Sequence, residues 1–266
     1  MTGAGGSFPD LALRTTSGVL IAALGLGAIW VGGIVFLALA AAIAALMVWE
    51  LARMLDPDGR RRIAVLLAGV AGVAVAAALN LPPPWDVLDV VLIAAFALVL
   101  PAGQRRVFAL VSLGIVLASV SMVLLRAGHG PYWMFWLALV VVASDVAGYF
   151  AGRFFGGPKF WPRISPKKTW SGTVAGWVGA AAVGAAFMQP LGAGGMLVAL
   201  SVIAAMAAQA GDIAESWVKR RMSVKDASAI LPGHGGLMDR FDGLTGAALF
   251  LFLYQQLAVF PPAAGG

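Results

Sequence analysis

Cysteine is absent from this chain of 266 residues. Disulfides, thiolate metal sites and thiol nucleophiles are therefore excluded together, and the redox state of the compartment cannot be read from the composition. Charge is scarce as well, since Asp, Glu, Lys and Arg make up only 11% of the residues and histidine occurs twice. Two histidines without a thiol are a poor zinc set. No Gly-x4-Gly-Lys-Ser/Thr occurs, so there is no Walker phosphate loop. Met1 to Asp10 has no basic stretch of the kind that opens a cleavable signal peptide, so the first membrane span is expected to do the targeting.

What fills the chain instead is apolar. The hydrophobic fraction is 61% and the mean hydropathy +0.92. A soluble core cannot hide that much apolar side chain, and a disordered chain needs the opposite balance. The composition predicts an all-α, polytopic integral membrane protein of about nine helices, at roughly 20 residues per span. Apolar runs read against breakers put spans near 15–32, 33–52, 63–80, 87–101, 107–126, 132–152, 173–189, 193–216 and 244–260. The first two divide a run too long for one crossing, and Gly32-Gly33 is the turn available to split it.

The cations test this layout, because Lys and Arg flanking spans are retained on the cytoplasmic side. With nine spans, 17 of the 18 Lys and Arg residues fall on one side and only Arg126 on the other. The layout therefore predicts a cytoplasmic N-terminus, an outside C-terminus and a multi-pass protein of the cell membrane. The net charge of +6 lies between apolar segments rather than in a basic tail, which points to anionic lipid and phosphate and not to nucleic acid. No linker divides the chain, so 1–266 reads as one membrane domain. Within it, 1–131 is a helical part, and 132–266 holds the candidate catalytic helices and cytoplasmic loops.

Four polar clusters in that second part could carry chemistry. Asp145 interrupts an apolar span, where a carboxylate is costly unless paired, wetted or bound to a cation. Gly148, Gly152 and Gly156 recur at every fourth position on its face, so a close-packed seam and an ion or substrate contact are both open readings. The segment Pro162 to Gly172 is a basic loop in which Ser165, Lys167, Lys168 and Thr169 suit phosphate oxygens, although on this loop alone cations that hold the topology or touch anionic headgroups are the favoured reading. In the third cluster, helical spacing places Gln209, Asp212, Glu215, Ser216 and Lys219 on one face. Two carboxylates one turn apart repel each other, and a divalent cation would resolve the conflict. The fourth runs through Lys219, Arg220 and Lys225 to Pro232-Gly233-His234-Gly235-Gly236 and Asp239-Arg240-Phe241-Asp242. Its glycines free the backbone to wrap an anion, and its hard carboxylate oxygens suit magnesium.

The stretch from Ser216 through Lys219-Arg220, Lys225-Asp226, Pro232 to Gly236 and Asp239-Arg240-x-Asp242 closely resembles the signature of the phosphatidate cytidylyltransferases, or CDP-diacylglycerol synthases. The loop Ser165 to Trp170, the segment Gln209-x-Gly211-Asp212-x-x-Glu215-Ser216 and Asp145-x3-Tyr149-x2-Gly152 are similar to its other motifs. The chain departs from the usual pattern at Ala147-Gly148, Ser171 and Gly243, none of which is a proposed metal ligand.

The resemblance implies that CTP and phosphatidic acid react to give CDP-diacylglycerol and pyrophosphate at the cytoplasmic membrane surface. Asp212 and Asp239 are then the leading ligands of magnesium, with Glu215 and Asp242 in support and potassium a candidate second ion. Lys167, Lys168, Lys219, Arg220 and Arg240 would clamp phosphates, and His234 would hold or protonate the leaving group. Ser165 and Thr169 would donate hydrogen bonds, while Lys225, Asp145 and Ser216 would complete substrate binding. A homodimer is implied as well. Two other classes stay open on the residues alone: a CTP-dependent polyprenol or lipid-alcohol kinase, which would attack the terminal phosphate, and a multispan ion-coupled transporter.

Overall fold

A computed structural model describes residues 8–56, 61–77, 102–231, 233 and 235–262. The expected span 87–101, the end of span 63–80 and His234 lie outside the described residues. Among those described, the elements in chain order are α1 (Phe8–Val31), α2 (Gly33–Leu55), α3 (Arg61–Ala77), α4 (Arg105–His129) and α5 (Pro131–Phe154). They are followed by β1 (Lys159–Trp161), β2 (Ser165–Thr169), α6 (Trp170–Phe187), α7 (Met196–Arg221) and α8 (Met238–Leu257). Among the described residues four helices, α2, α4, α5 and α7, are long and apolar enough to cross a bilayer.

The break expected at Gly32-Gly33 is present. Both glycines take positive φ, 68° and 52°, a region closed to most side chains. The turn is tied from a distance: Arg126, near the end of α4, donates through Nε to the Ile29 carbonyl at 2.5 Å and through Nη2 to the Trp30 carbonyl at 3.0 Å. These are carbonyls that the end of α1 would otherwise leave without partners. A Cβ on Gly32 would run into that guanidinium. Gly130, with φ 87°, separates α4 from α5, and Pro131 opens α5 at a position where its missing N–H costs nothing.

The all-α expectation is amended at one place. Residues expected to form a basic loop fold as a short antiparallel ribbon, with Lys159 opposite Thr169 and Trp161 opposite Ser165. Pro166 is tolerated there because a two-stranded ribbon is all edge.

Between the helices, packing is set by small residues, as expected where apolar burial alone gives little preference for protein over lipid. Helix α5 lies against α6 where Gly148 and Gly152 meet Gly172, so that a Cβ on Gly172 would collide with the Gly148 carbonyl. Gly156, expected on the same seam, falls beyond the end of α5 with φ 60° and has no neighbour at its Cβ position. Helices α7 and α8 meet at Gly211 and Gly246. A Cβ on Gly246 would overlap the Ala207 carbonyl, and one on Gly211 the Asp242 carbonyl. This close approach brings the acidic end of α8 onto the acidic face of α7. Trp136, fully buried, donates from Nε1 to Ser201 Oγ at 2.8 Å and links α5 to α7. The parts 1–131 and 132–266 are interlocked, because α2 and α4 both pack on α8.

Candidate active site

The face of α7 read from helical spacing divides into two jobs. Gln209, the most N-terminal of these residues, is spent on structure: its Oε1 accepts from Trp177 Nε1 at 3.0 Å, and its Nε2 donates to the Thr173 carbonyl at 3.3 Å and to Ser144 Oγ at 3.4 Å. This network binds α5, α6 and α7 together. One turn on, Asp212 and Glu215 are joined by Asp242 from α8, with one oxygen from each lying within 4.8 Å of the others. Three carboxylates at that separation repel strongly where water is restricted.

Two lysines partly offset the charge, and their burial separates their roles. Lys168 reaches from β2 to Asp212 Oδ2 at 2.5 Å, with side chains 25% and 35% exposed. Lys219 touches Glu215 Oε2 at 2.5 Å and Asp239 Oδ1 at 2.6 Å, with its own side chain 12% exposed and the acids 3% and 7%. Neither Glu215 oxygen accepts a well-directed hydrogen bond, so its contact with Lys219 is one of charge and proximity. The Ser216 hydroxyl donates to Asp212 Oδ1 at 3.3 Å.

Asp239, expected to be the partner of Asp212, stands outside this carboxylate group. Its Oδ1 faces Lys219, and its Oδ2 accepts from the amides of Gly236 at 2.8 Å and Ala227 at 2.9 Å. It therefore cinches the loop between α7 and α8. Burial alone would raise its pKa, but the Lys219 ammonium and the two amides outweigh that and hold the carboxyl below its ordinary value. Asp242 takes the place beside Asp212 because Gly211 and Gly246 fix where the two helices meet, which spacing along one helix does not reveal.

The remaining expected residues spread around this centre. Asp145 is exposed on α5, near enough for its charge to act on both Lys168 and Asp212. Thr169 is buried and caps α6, its Oγ1 accepting from the Gly172 amide at 3.2 Å. Ser165 is half-buried on β2. Lys167 is exposed and, by strand alternation, projects away from its neighbour Lys168. Arg220, Lys225 and Arg240 are exposed at the same end of the molecule.

One residue was not anticipated. Glu50 is completely buried in α2, yet its Oε1 accepts hydrogen bonds from the loop before α8 and its Oε2 from the first residue of α8. The available signal was a lone carboxylate within an apolar span, which demands a partner.

A profile of the cytidylyltransferase family matches residues 12–258. The chain belongs to the cytidylyltransferase family. It is 34% identical over 262 residues to the phosphatidate cytidylyltransferase of Brucella suis biovar 1 (strain 1330), an alignment covering 95% of this chain and 96% of that protein. It is 40% identical over 140 residues to the phosphatidate cytidylyltransferase of Helicobacter pylori (strain ATCC 700392 / 26695), covering 49% of this chain and 52% of the relative. With the phosphatidate cytidylyltransferase of Mycobacterium bovis (strain ATCC BAA-935 / AF2122/97) the identity is 38% over 136 residues, 48% of this chain and 43% of the relative. The family resemblance read from the motifs is thereby borne out.

Proposed function

We propose that this protein transfers the cytidylyl group of CTP to phosphatidic acid, giving CDP-diacylglycerol and pyrophosphate. The observation that carries the reading is the convergence of Asp212, Glu215 and Asp242 beside Lys168 and Lys219 in a chain with membrane-length helices. Family membership supports it. A phosphate oxygen of phosphatidic acid attacks the α-phosphorus of CTP, a P–O bond forms there, and the bond to the β-phosphate breaks with its electron pair leaving on pyrophosphate. The attacking oxygen is already anionic, so no strong general base is needed.

The residues meet the real difficulty, which is bringing anions together. Lys168, the more exposed of the paired lysines, exchanges Asp212 for a substrate phosphate. Lys219 stays between Glu215 and Asp239 and keeps those acids from spreading. Lys167, Arg220, Lys225 and Arg240 supply the field that draws the nucleotide in. Asp145 and Ser216 orient Asp212 and the headgroup near it, and Ser165 offers a hydroxyl.

The donor set fits a hard divalent cation: all three grouped ligands are carboxylates, and once Lys168 has moved only Glu215 keeps a lysine ion pair to offset its charge. Asp212, Glu215 and Asp242 would hold magnesium, which when bound neutralises the nucleotide phosphates and the departing pyrophosphate. Potassium remains the proposed second ion. Asp239 is assigned to Lys219 and the loop.

About nine spans, a cytoplasmic N-terminus and residence in the cell membrane as a homodimer complete the proposal. The tie from Arg126 to the end of α1 supports the topology, since the layout puts both on the outer side. The test is purified protein with phosphatidic acid, magnesium and CTP labelled in either the α- or the γ-phosphate. Label from the α position should enter lipid. Label from the γ position would mean a lipid kinase, and label from neither would remove both.

A further inference from the structure

Helix α8 carries Asp239 and Asp242 in its first turns, yet its own N-cap residue, Leu237, makes no side-chain capping bond. The first amides of a helix have no acceptors within it and must find them elsewhere. Here they find Glu50. Its Oε1 accepts from the Leu237 amide at 2.9 Å and from the Ser228 hydroxyl at 2.5 Å, and its Oε2 accepts from the Met238 amide at 2.7 Å. The donors lie 178 to 188 residues away along the chain. The fit is close, because a Cβ on Gly236 would come within 2.7 Å of Glu50 Oε1. Only glycine at 236 lets the carboxylate in.

Glu50 sits among Met47, Val48, Leu51 and Met54 on the buried face of α2, and Leu237 and Met238 are buried against it. Met238 adjoins Asp239, whose carboxylate holds Lys219 against Glu215. One turn further along α8, Asp242 meets Asp212. Ser228 and the Ala227 amide, bound to Glu50 and Asp239 respectively, anchor the loop at two adjacent residues.

We propose that Glu50 is a positioning residue for the transfer reaction: from α2 it caps α8 and fixes the preceding loop at Ser228 and Leu237, and so sets where Asp239 and Asp242 stand relative to α7. This rests on the cytidylyltransferase reading for its catalytic consequence, but not for its structural one. Displacement of a reacting group by about 1 Å can cost on the order of a hundredfold in rate, so a loosened cap should be felt in turnover.

The test compares wild-type protein with Glu50→Gln and Ser228→Ala in lipid nanodiscs, by amide hydrogen exchange and by steady-state kinetics at varied magnesium. Glutamine keeps the shape but turns an NH2 toward a donor, whereas the serine change removes one of the three bonds to Glu50 together with the bond that Ser228 Oγ accepts from the Ile230 amide. Glu50→Gln should speed exchange by about tenfold or more within 226–239 and leave α4 and α5 unchanged. It should also lower kcat per folded molecule by about tenfold or more and raise the magnesium concentration needed for half-maximal rate. Ser228→Ala should shift each in the same direction by less. Unchanged exchange over 226–239 overturns the proposal, as does faster exchange with kcat and magnesium dependence intact, which is what a merely structural residue would give. If the wild-type protein puts no α-label into lipid, the cytidylyltransferase reading fails. Exchange alone then decides whether Glu50 fastens the loop, acceleration confined to 226–239 upholding it and no change refuting it.

Discussion

Replacing Lys219 by methionine removes the one ammonium that touches both Glu215 and Asp239 while keeping most of the side chain's volume. The two acids are then left with side chains only 3% and 7% exposed. Breaking a buried pair by deleting one partner typically costs about 3–5 kcal/mol, most of it the penalty for the charge left behind. Asp239 keeps two amide donors, so its share is small. Glu215 keeps no hydrogen bond among the described residues, so it dominates, and the expected loss is about 3 kcal/mol. Thermal or denaturant unfolding of the detergent-solubilised protein would measure it, together with the double variant Lys219→Met/Glu215→Gln. Neutralising both partners removes the stranded charge, so the double variant should recover much of the loss. A single variant within about 1 kcal/mol of wild type, or a double variant no better than the single one, would refute the claim that this lysine serves a buried pair.

Lys168→Ala should behave differently, because its pair with Asp212 is partly exposed and such pairs are worth about 0–1 kcal/mol; unfolding should barely move while KM for substrate rises. Asp242→Asn relieves repulsion in the carboxylate group, so stability should hold or rise while turnover falls by about a hundredfold or more, read from paired unfolding and lipid-labelling assays. Gly246→Ala drives a methyl into the Ala207 carbonyl and should cost about 1–3 kcal/mol with loss of activity, measured in the same two assays. A chelator should abolish lipid labelling by the wild-type protein, and added magnesium should restore it.

Much of this arrangement is local and therefore legible in the sequence. Asp212, Glu215, Ser216 and Lys219 share a face because a helix repeats every 3.6 residues, whatever surrounds it. Gly32-Gly33 is legible because a long apolar run needs a turn and glycine alone adopts it freely. The choice between Asp239 and Asp242 is not local. The two lie within one turn of each other, and which of them faces Asp212 depends on the α7–α8 crossing at Gly211 and Gly246. Thr169 reads as a phosphate donor from its place among the lysines, and its second role, capping α6 by accepting from the Gly172 amide, shows only once the start of α6 is known. The ribbon of 159–169 was obscured by its prolines, which suit a loop equally well. Glu50 was hidden by distance: spacing within α2 says only that a carboxylate is out of place, and its partners come from the far end of the chain.

The central claim is that acidic side chains from α7 and α8 share one divalent cation. Titration of the purified protein with Mn²⁺, followed by electron paramagnetic resonance of the free ion, tests it without reference to turnover. Wild-type protein should show a saturable site that magnesium displaces and that Asp212→Asn and Asp242→Asn each abolish. Saturable binding that survives both substitutions would contradict the account.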